Sequence, residues 1–171
     1  MNSQTTDNNK TLTAAKALPG QLKLLCFRLG KTVFGIDIMR IKEIVPLQKL
    51  SEIPSPASFI DGVINLRGAV IPVMNMRKRF GMSASAGTEE AALIILKLHR
   101  QLLAITVDEV LEVVAADCGD IMPPPDMEDG LGVECVIGVC LSRGRVLMIL
   151  GIDFLLGDDE QFKACLNQLE R

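Results

Sequence analysis

The stretch GKTVFGIDIMRIKEIVPLQKLSEIPSP, Gly30–Pro56, decides the fold, because the chain repeats it. Moved forward by 69 positions, it falls without a gap on HRQLLAITVDEVLEVVAADCGDIMPPP, His99–Pro125. Ile36 meets Ile105, Glu43 meets Glu112, Val45 meets Val114, and Pro54 and Pro56 meet Pro123 and Pro125. Between these identities apolar meets apolar: Val33 with Leu102, Phe34 with Leu103, Ile38 with Val107, Ile41 with Val110, Ile44 with Val113. Past the prolines the offset becomes 76. Gly62-Val63 then matches Gly138-Val139, Arg67-Gly68 matches Arg143-Gly144, and Val70 matches Val146. Two copies are too few for a solenoid, so the chain reads as two related halves, 21–82 and 91–157.

Each half reads as β-structure. Leu22–Leu29 and Leu93–Leu98 are strand-length apolar runs, and Gly30-Lys31 and His99-Arg100 are turns into return strands Thr32–Ile36 and Gln101–Ile105. Asp37 gives a helix-start signal, as does Thr106 with Glu109 at capping-box spacing, so one helical turn is expected after each return strand. Ser51–Ser58 and Asp120–Asp126 are connectors that proline keeps out of any central strand. Val63–Leu66 and Ala69–Met74 are the arms of a hairpin around Arg67-Gly68. Val139–Leu141 and Val146–Leu150 are the same around Arg143-Gly144. Arginine is a poor choice where φ must be positive, so the sequence leaves the turn type open. About five short strands per half point to two small β-barrels. Residues 1–20 read as a disordered tail. Residues 158–171 place Phe162, Cys165, Leu166 and Leu169 at helical spacing, an amphipathic C-terminal helix.

Composition narrows the function. The chain has 171 residues, 49% of them apolar and 23% charged, so a packed core is within reach. Its net charge of -3 argues against general nucleic-acid binding. No apolar run approaches the roughly 20 residues of a membrane helix, and direct membrane insertion is not expected. Five cysteines without a C-x-x-C pair fit free thiols in a reducing cytoplasm. The only histidine, His99, falls in a turn, so no Ser-His or Cys-His arrangement suggests itself. Neither G-x-x-x-x-G-K-[ST] nor G-x-G-x-x-G occurs, and no cysteine–histidine spacing suits zinc. No catalytic residue, metal site or cofactor is expected. A metal- or ligand-binding barrel enzyme built on Glu43, Glu112 or the cysteines is the rival from another class.

The unusual features lie elsewhere. Extended geometry over Ile41–Val45 puts Ile41, Glu43 and Val45 on one face, a carboxylate between two aliphatic groups. Glu43 either reaches water at a strand edge or anchors an apolar protein-binding patch. Arg67 is either a solvated turn residue or an interface anchor. Pro72 lacks an N–H and marks an edge strand or bulge.

Gly62-Val63-Ile64-Asn65-Leu66-Arg67-Gly68-Ala69-Val70-Ile71-Pro72-Val73, followed by Asn75–Gly81, resembles the CheW family of chemotaxis coupling proteins. Phe34–Ile38, Ile41-x-Glu43-Ile44, Ile53-Pro54-x-Pro56 and Ile152-Asp153-x-Leu155-Leu156 extend the resemblance across 21–157. It implies a single CheW-like domain of two interlocked five-stranded SH3-like β-barrels with a groove between them. It implies a non-enzymatic cytoplasmic adaptor, recruited to receptor arrays. Its partners would be the cytoplasmic tip of methyl-accepting chemoreceptors and the regulatory domain of a CheA-type histidine kinase. The resemblance places Ile41 and Glu43 in the partner-facing region, which Val45 joins as a neighbour on the same strand face, and Arg67 with its hairpin, including Gly68 and Pro72, in the signature tied to coupling. It gives Asn65 the part of bracing the hairpin. Asn75 and Gly151 stand where the family often has acidic residues, and Met127–Gly132 is an insertion. These departures open two further readings: an adaptor of a non-flagellar pathway (pili, surface sensing or second-messenger output), and a regulator that sequesters its partner.

Overall fold

A computed structural model describes residues 20–54, 58–84, 87–126 and 132–155. The expected N-terminal tail (1–19), the C-terminal helix over 158–171 and the insertion up to residue 131 lie outside the described residues. Ten strands follow in order: β1 Gln21–Leu29, β2 Thr32–Asp37, β3 Ile41–Pro46, β4 Ile60–Leu66, β5 Ala69–Asn75, β6 Ala92–Lys97, β7 Leu102–Val107, β8 Glu109–Asp117, β9 Val136–Ser142 and β10 Arg145–Leu150. Five belong to each half of the repeat. One helical turn, α1 (Met76–Arg79), follows β5, and 3-10 turns stand at Ile38–Arg40, Cys118–Asp120, Val133–Cys135 and Ile152–Phe154.

The strands form two five-stranded sheets, ordered β8-β1-β2-β10-β9 and β3-β6-β7-β5-β4. Under the repeat, β3 corresponds to β8, β6 to β1, β7 to β2, β5 to β10 and β4 to β9. The two orders are therefore the same order. Each sheet contains one parallel pair, β2 with β10 and β5 with β7, and is otherwise antiparallel. The barrels do not coincide with the sequence halves. One barrel is the continuous segment β3–β7; the other is split, with β1 and β2 before that segment and β8–β10 after it. This is the interlocking. The chain crosses between barrels twice, at Ile38–Arg40 and at Asp108.

The apolar pattern explains the arrangement. Each barrel has its own interior: Leu24, Cys26, Leu147 and Ile149 in the split barrel, Ile64, Val73, Leu93 and Ile95 in the continuous one. A third and larger core lies between them, where Phe27, Phe34, Ile36, Ile44, Met74, Ile94, Leu103, Ile105 and Ile152 pack together. Burying the outward faces of both sheets against each other removes far more apolar surface from water than either small barrel could alone.

Two local expectations change. Asp37 does cap a turn, its side chain accepting the Met39 N–H at 3.0 Å. Thr106 and Glu109 do not: β7 runs to Val107, β8 starts at Glu109, and a single buried residue, Asp108, makes the crossing. Asp108 accepts the Gly30 N–H at 2.8 Å and Arg77 Nε at 3.0 Å, and its own N–H donates to Arg28 O. Those tertiary bonds outweigh a local capping box. Pro72 lies on β5, which has neighbours on both sides, yet the pairing with β7 begins only at Val73. Its missing N–H falls where β5 is still locally an edge.

Candidate docking surfaces

Glu43 comes from β3 and Arg67 from the β4–β5 turn, and these belong to opposite free edges of one sheet. The guanidinium spans the gap. Nη1 donates to Glu43 Oε1 at 2.6 Å and Nη2 to Oε2 at 2.9 Å, a bidentate fork that only arginine's planar geometry provides. Glu43 is 8% exposed, whereas the Arg67 side chain is 72% exposed. A buried carboxylate is thus neutralised from outside by a cation that water also reaches. Arg67 and Gly68 have φ of 53° and 86°, both positive, the signature of a type I′ turn that matches hairpin twist. A positive φ strains any residue with a Cβ, by about 1 kcal/mol or more. Asn65 Oδ1 accepts the Gly68 N–H at 3.0 Å and helps to hold the turn.

The reading of Ile41, Glu43 and Val45 as one face needs adjustment. A bulge between Ile41 and Glu43 shifts the β3–β6 register. Glu43 and Val45 stand opposite Ile95 and Leu93, toward the barrel interior, while Ile41 stands opposite Leu96 in the core between barrels. Ile41 is buried, so the exposed residues of this edge and hairpin include Lys42, Asn65, Arg67, Gly68 and Val70.

The repeat carries Glu43 to Glu112 and Arg67 to Arg143, and the structure pairs these too. Arg143 Nη1 donates to Glu112 Oε2 at 2.7 Å, joining β8 to the β9–β10 turn across the gap of the split barrel. Arg143 and Gly144 again have positive φ, 51° and 77°. This second pair was legible in the repeat, since both residues sit at equivalent positions, but hairpin propensity alone hides it. The surroundings differ. Asn65 of the first site corresponds to Leu141, and Asp61 to Ile137; both apolar residues are exposed.

The barrels meet at two crossings, one marked by exposed apolar residues and the other by a cavity. At the first crossing Arg40 grips Asp153 with bonds of 2.7 and 3.2 Å and also donates to Lys97 O. The adjoining Met39 and Phe154 are 68% and 52% exposed. At the second crossing a cavity of about 330 Å³ is bordered by Leu29, Leu47, Leu50, Met82 and Val107, with Asp61, Lys78 and Asp108 at its polar parts. Its charges are already paired: Lys78 Nζ with Asp61 at 2.6 Å, Arg77 with Asp108. Asn75 accepts the Lys78 N–H and donates to Asp61 at 2.7 Å, a bond an aspartate at that position could not donate.

Ionisation points away from nucleophilic chemistry. Burial pushes the Cys26 and Cys135 thiols up to about 11, so little thiolate exists at neutral pH. The Arg77 hydrogen bond holds the Asp108 carboxyl below its ordinary range, and Arg40 and Arg79 do the same for Asp153 and Glu134. Among the described residues no group of three or more His, Cys, Asp or Glu side chains is placed to hold a metal, and no helix is long and apolar enough to cross a membrane.

A double barrel with a shared core, two like-built ion-paired rims and a cavity where the barrels meet defines a protein-docking scaffold. The family model of the CheW-like domain matches residues 23–160, and the chain belongs to that family. It is 34% identical over 144 residues to a chemotaxis protein CheW of Treponema pallidum, an alignment covering 82% of this chain and 85% of that one. A CheW of Klebsiella aerogenes is 30% identical over 138 residues, covering 81% and 83%. The crystal structure of the scaffolding protein TtCheW from Thermoanaerobacter tengcongensis superposes with a TM-score of 0.74 at 31% identity, covering 81% of this chain and 94% of that one. These relatives favour neither the non-flagellar nor the sequestering reading.

Proposed function

We propose that the chain is a chemotaxis adaptor that couples chemoreceptors to a CheA-type histidine kinase and catalyses nothing itself. The kinase's regulatory domain would dock at the rim where Arg67 meets Glu43, with Asn65, Gly68 and Val70 around it. A helical hairpin from a receptor's cytoplasmic tip would lay an apolar stripe against the exposed Met39 and Phe154. The observation that carries this reading is the Glu43–Arg67 pair. It holds a strained hairpin at an open barrel edge, at the cost of placing arginine where φ is positive, and it leaves three quarters of the arginine facing solvent.

Mechanically, the large core between the barrels lets the molecule act as a fixed spacer. A shift of either partner on one surface is felt by the other as a change of position. Contacts of this kind bury roughly 1,200–2,000 Å² and can be individually weak; repetition in an array supplies the strength. The Glu112–Arg143 rim offers a second end of similar build, so one molecule can face two related barrels.

The test is a binding titration with an isolated kinase regulatory domain. Arg67→Ala in the full chain is expected to weaken binding at least about tenfold, the range of an interface anchor, while the melting curve stays cooperative. Equal affinity for both proteins refutes the placement of the kinase at this rim. Stoichiometric retention of a metal or small molecule in native mass spectrometry supports the enzyme reading instead.

A further inference from the structure

The cavity at the second crossing has a chemistry that docking at the rims leaves unused. Its apolar walls come from both barrels: Leu29 ends β1, Val107 ends β7, and Leu47 and Leu50 belong to the chain that follows β3. At about 330 Å³ it has room for on the order of ten non-hydrogen atoms, the size of a small ligand. Leu47 and Gln48 are exposed and stand at its mouth.

The charges of the lining cancel. Asp61 is held by Lys78 Nζ and Asn75 Nδ2, and the buried Asp108 by Arg77 and the Gly30 N–H, so two carboxylates meet two cations. An ion entering this space would lose hydration without finding a free counter-charge, and to serve an anion Arg77 or Lys78 would have to release its aspartate. The hydrogen-bonding groups left over are neutral. The Thr106 hydroxyl on β7 and the Gln48 amide make no hydrogen bond among the described residues. No buried side-chain polar atom among them lacks a partner, so the half-buried Thr106 keeps its hydroxyl accessible. Each of these two groups can donate and accept.

The repeat shows that this chemistry is not a by-product of the doubled architecture. Leu50, Asp61 and Asn75 correspond to Gly119, Ile137 and Gly151. Thr106 corresponds to Asp37, whose carboxylate is spent on capping a turn.

We propose that this cavity binds an uncharged small molecule, with an aliphatic or aromatic body of about ten to fifteen non-hydrogen atoms and one hydroxyl or amide group bonded to Thr106 or Gln48. Leu29 belongs to the split barrel and Val107 to the continuous one, so the occupant touches both and stabilises the folded chain by mass action. The site stands whether or not the chain couples a receptor to a kinase, since it concerns the isolated chain.

The probe is 2-naphthol, uncharged at neutral pH, titrated into the full chain with methyl-labelled Met and Leu. Saturable binding with a Kd of about 1 mM or tighter is expected. The Met82 and Leu50 methyl signals should shift, and Leu141, exposed at the end of β9, should stay in place. 2-Naphthoate, the same ring system carrying a carboxylate, should bind at least about tenfold more weakly. Ala91→Leu, at a half-buried wall residue just before β6, fills part of the space and should abolish binding while the melting curve stays cooperative. Thr106→Val with Gln48→Leu should weaken 2-naphthol severalfold. No saturation, shifts confined to methyls away from the cavity, or naphthoate bound as tightly as naphthol overturns the proposal; these are read on the native chain and decide it even where a variant does not fold. A folded Ala91→Leu chain that binds 2-naphthol like the native one overturns it as well, as does unchanged affinity in the Thr106→Val, Gln48→Leu chain.

Discussion

Arg79 offers the sharpest test of how the two halves are held together. It stands on α1, is 7% exposed, and donates from Nε to Leu155 O at 2.8 Å and from Nη2 to Glu134 at 2.7 Å. Its guanidinium lies 5.5 Å from the centre of the Phe59 ring. One side chain from the first half thus fastens two of the second half's 3-10 turns, Val133–Cys135 and Ile152–Phe154. In Arg79→Met the apolar stem remains and the donors vanish. Loss of a charged hydrogen bond to a buried carbonyl costs about 1.5–3 kcal/mol, and the ring contact adds about 0.5–1 kcal/mol. The Glu134 contribution is at most about 1 kcal/mol, because that carboxylate is more than half exposed and rehydrates. The sum is about 2–5 kcal/mol, or roughly 4–20 °C in Tm for a chain of this size. Calorimetry and urea unfolding measure it. A loss under about 1 kcal/mol would refute the view that Arg79 fastens these turns to α1.

Other expectations are simpler to state. Glu43→Gln should cost less stability than Arg67→Ala, because the first frees an exposed cation and the second strands a buried carboxylate; paired thermal melts decide. Asp108 has a folded pKa below its unfolded value, so the unfolded chain binds more protons in acid, and its stabilisation is lost as pH falls below about 4. Asp108→Asn should flatten the acid limb of a urea-stability profile between pH 7 and pH 3, and an unchanged limb contradicts this. Gly62→Ala would drive a Cβ to 2.5 Å from the Ser51 carbonyl oxygen, and should cost about 2 kcal/mol or more in chemical unfolding. In the native state Cys118 should react with a thiol reagent at pH 8 while Cys26 and Cys135 wait for denaturation.

Much of the architecture was legible because the sequence says everything twice. The strands of both halves, the turns at Gly30-Lys31 and His99-Arg100 and the hairpins at Arg67-Gly68 and Arg143-Gly144 follow from alternation and punctuation. The crossings were not. Nothing local distinguishes a strand that continues its own barrel from one that passes to the neighbour; that choice is made by the core between the sheets. The helical turn expected at Thr106–Glu109 failed for the same reason, since Asp108 is held by Arg77 and Gly30, residues far away in sequence. The bulge after Ile41 turned one predicted face into two. At the two ion-paired rims the sequence supplied the residues and the structure their pairing, because a strained arginine turn becomes intelligible only once a carboxylate faces it across the barrel gap.

The most direct measurement is sedimentation velocity on this chain mixed with a chemoreceptor-tip fragment and a kinase regulatory domain together. The adaptor account predicts one three-component species, heavier than either binary complex and lost with Arg67→Ala. Mutually exclusive binding, with one fragment displacing the other from the chain, would contradict it.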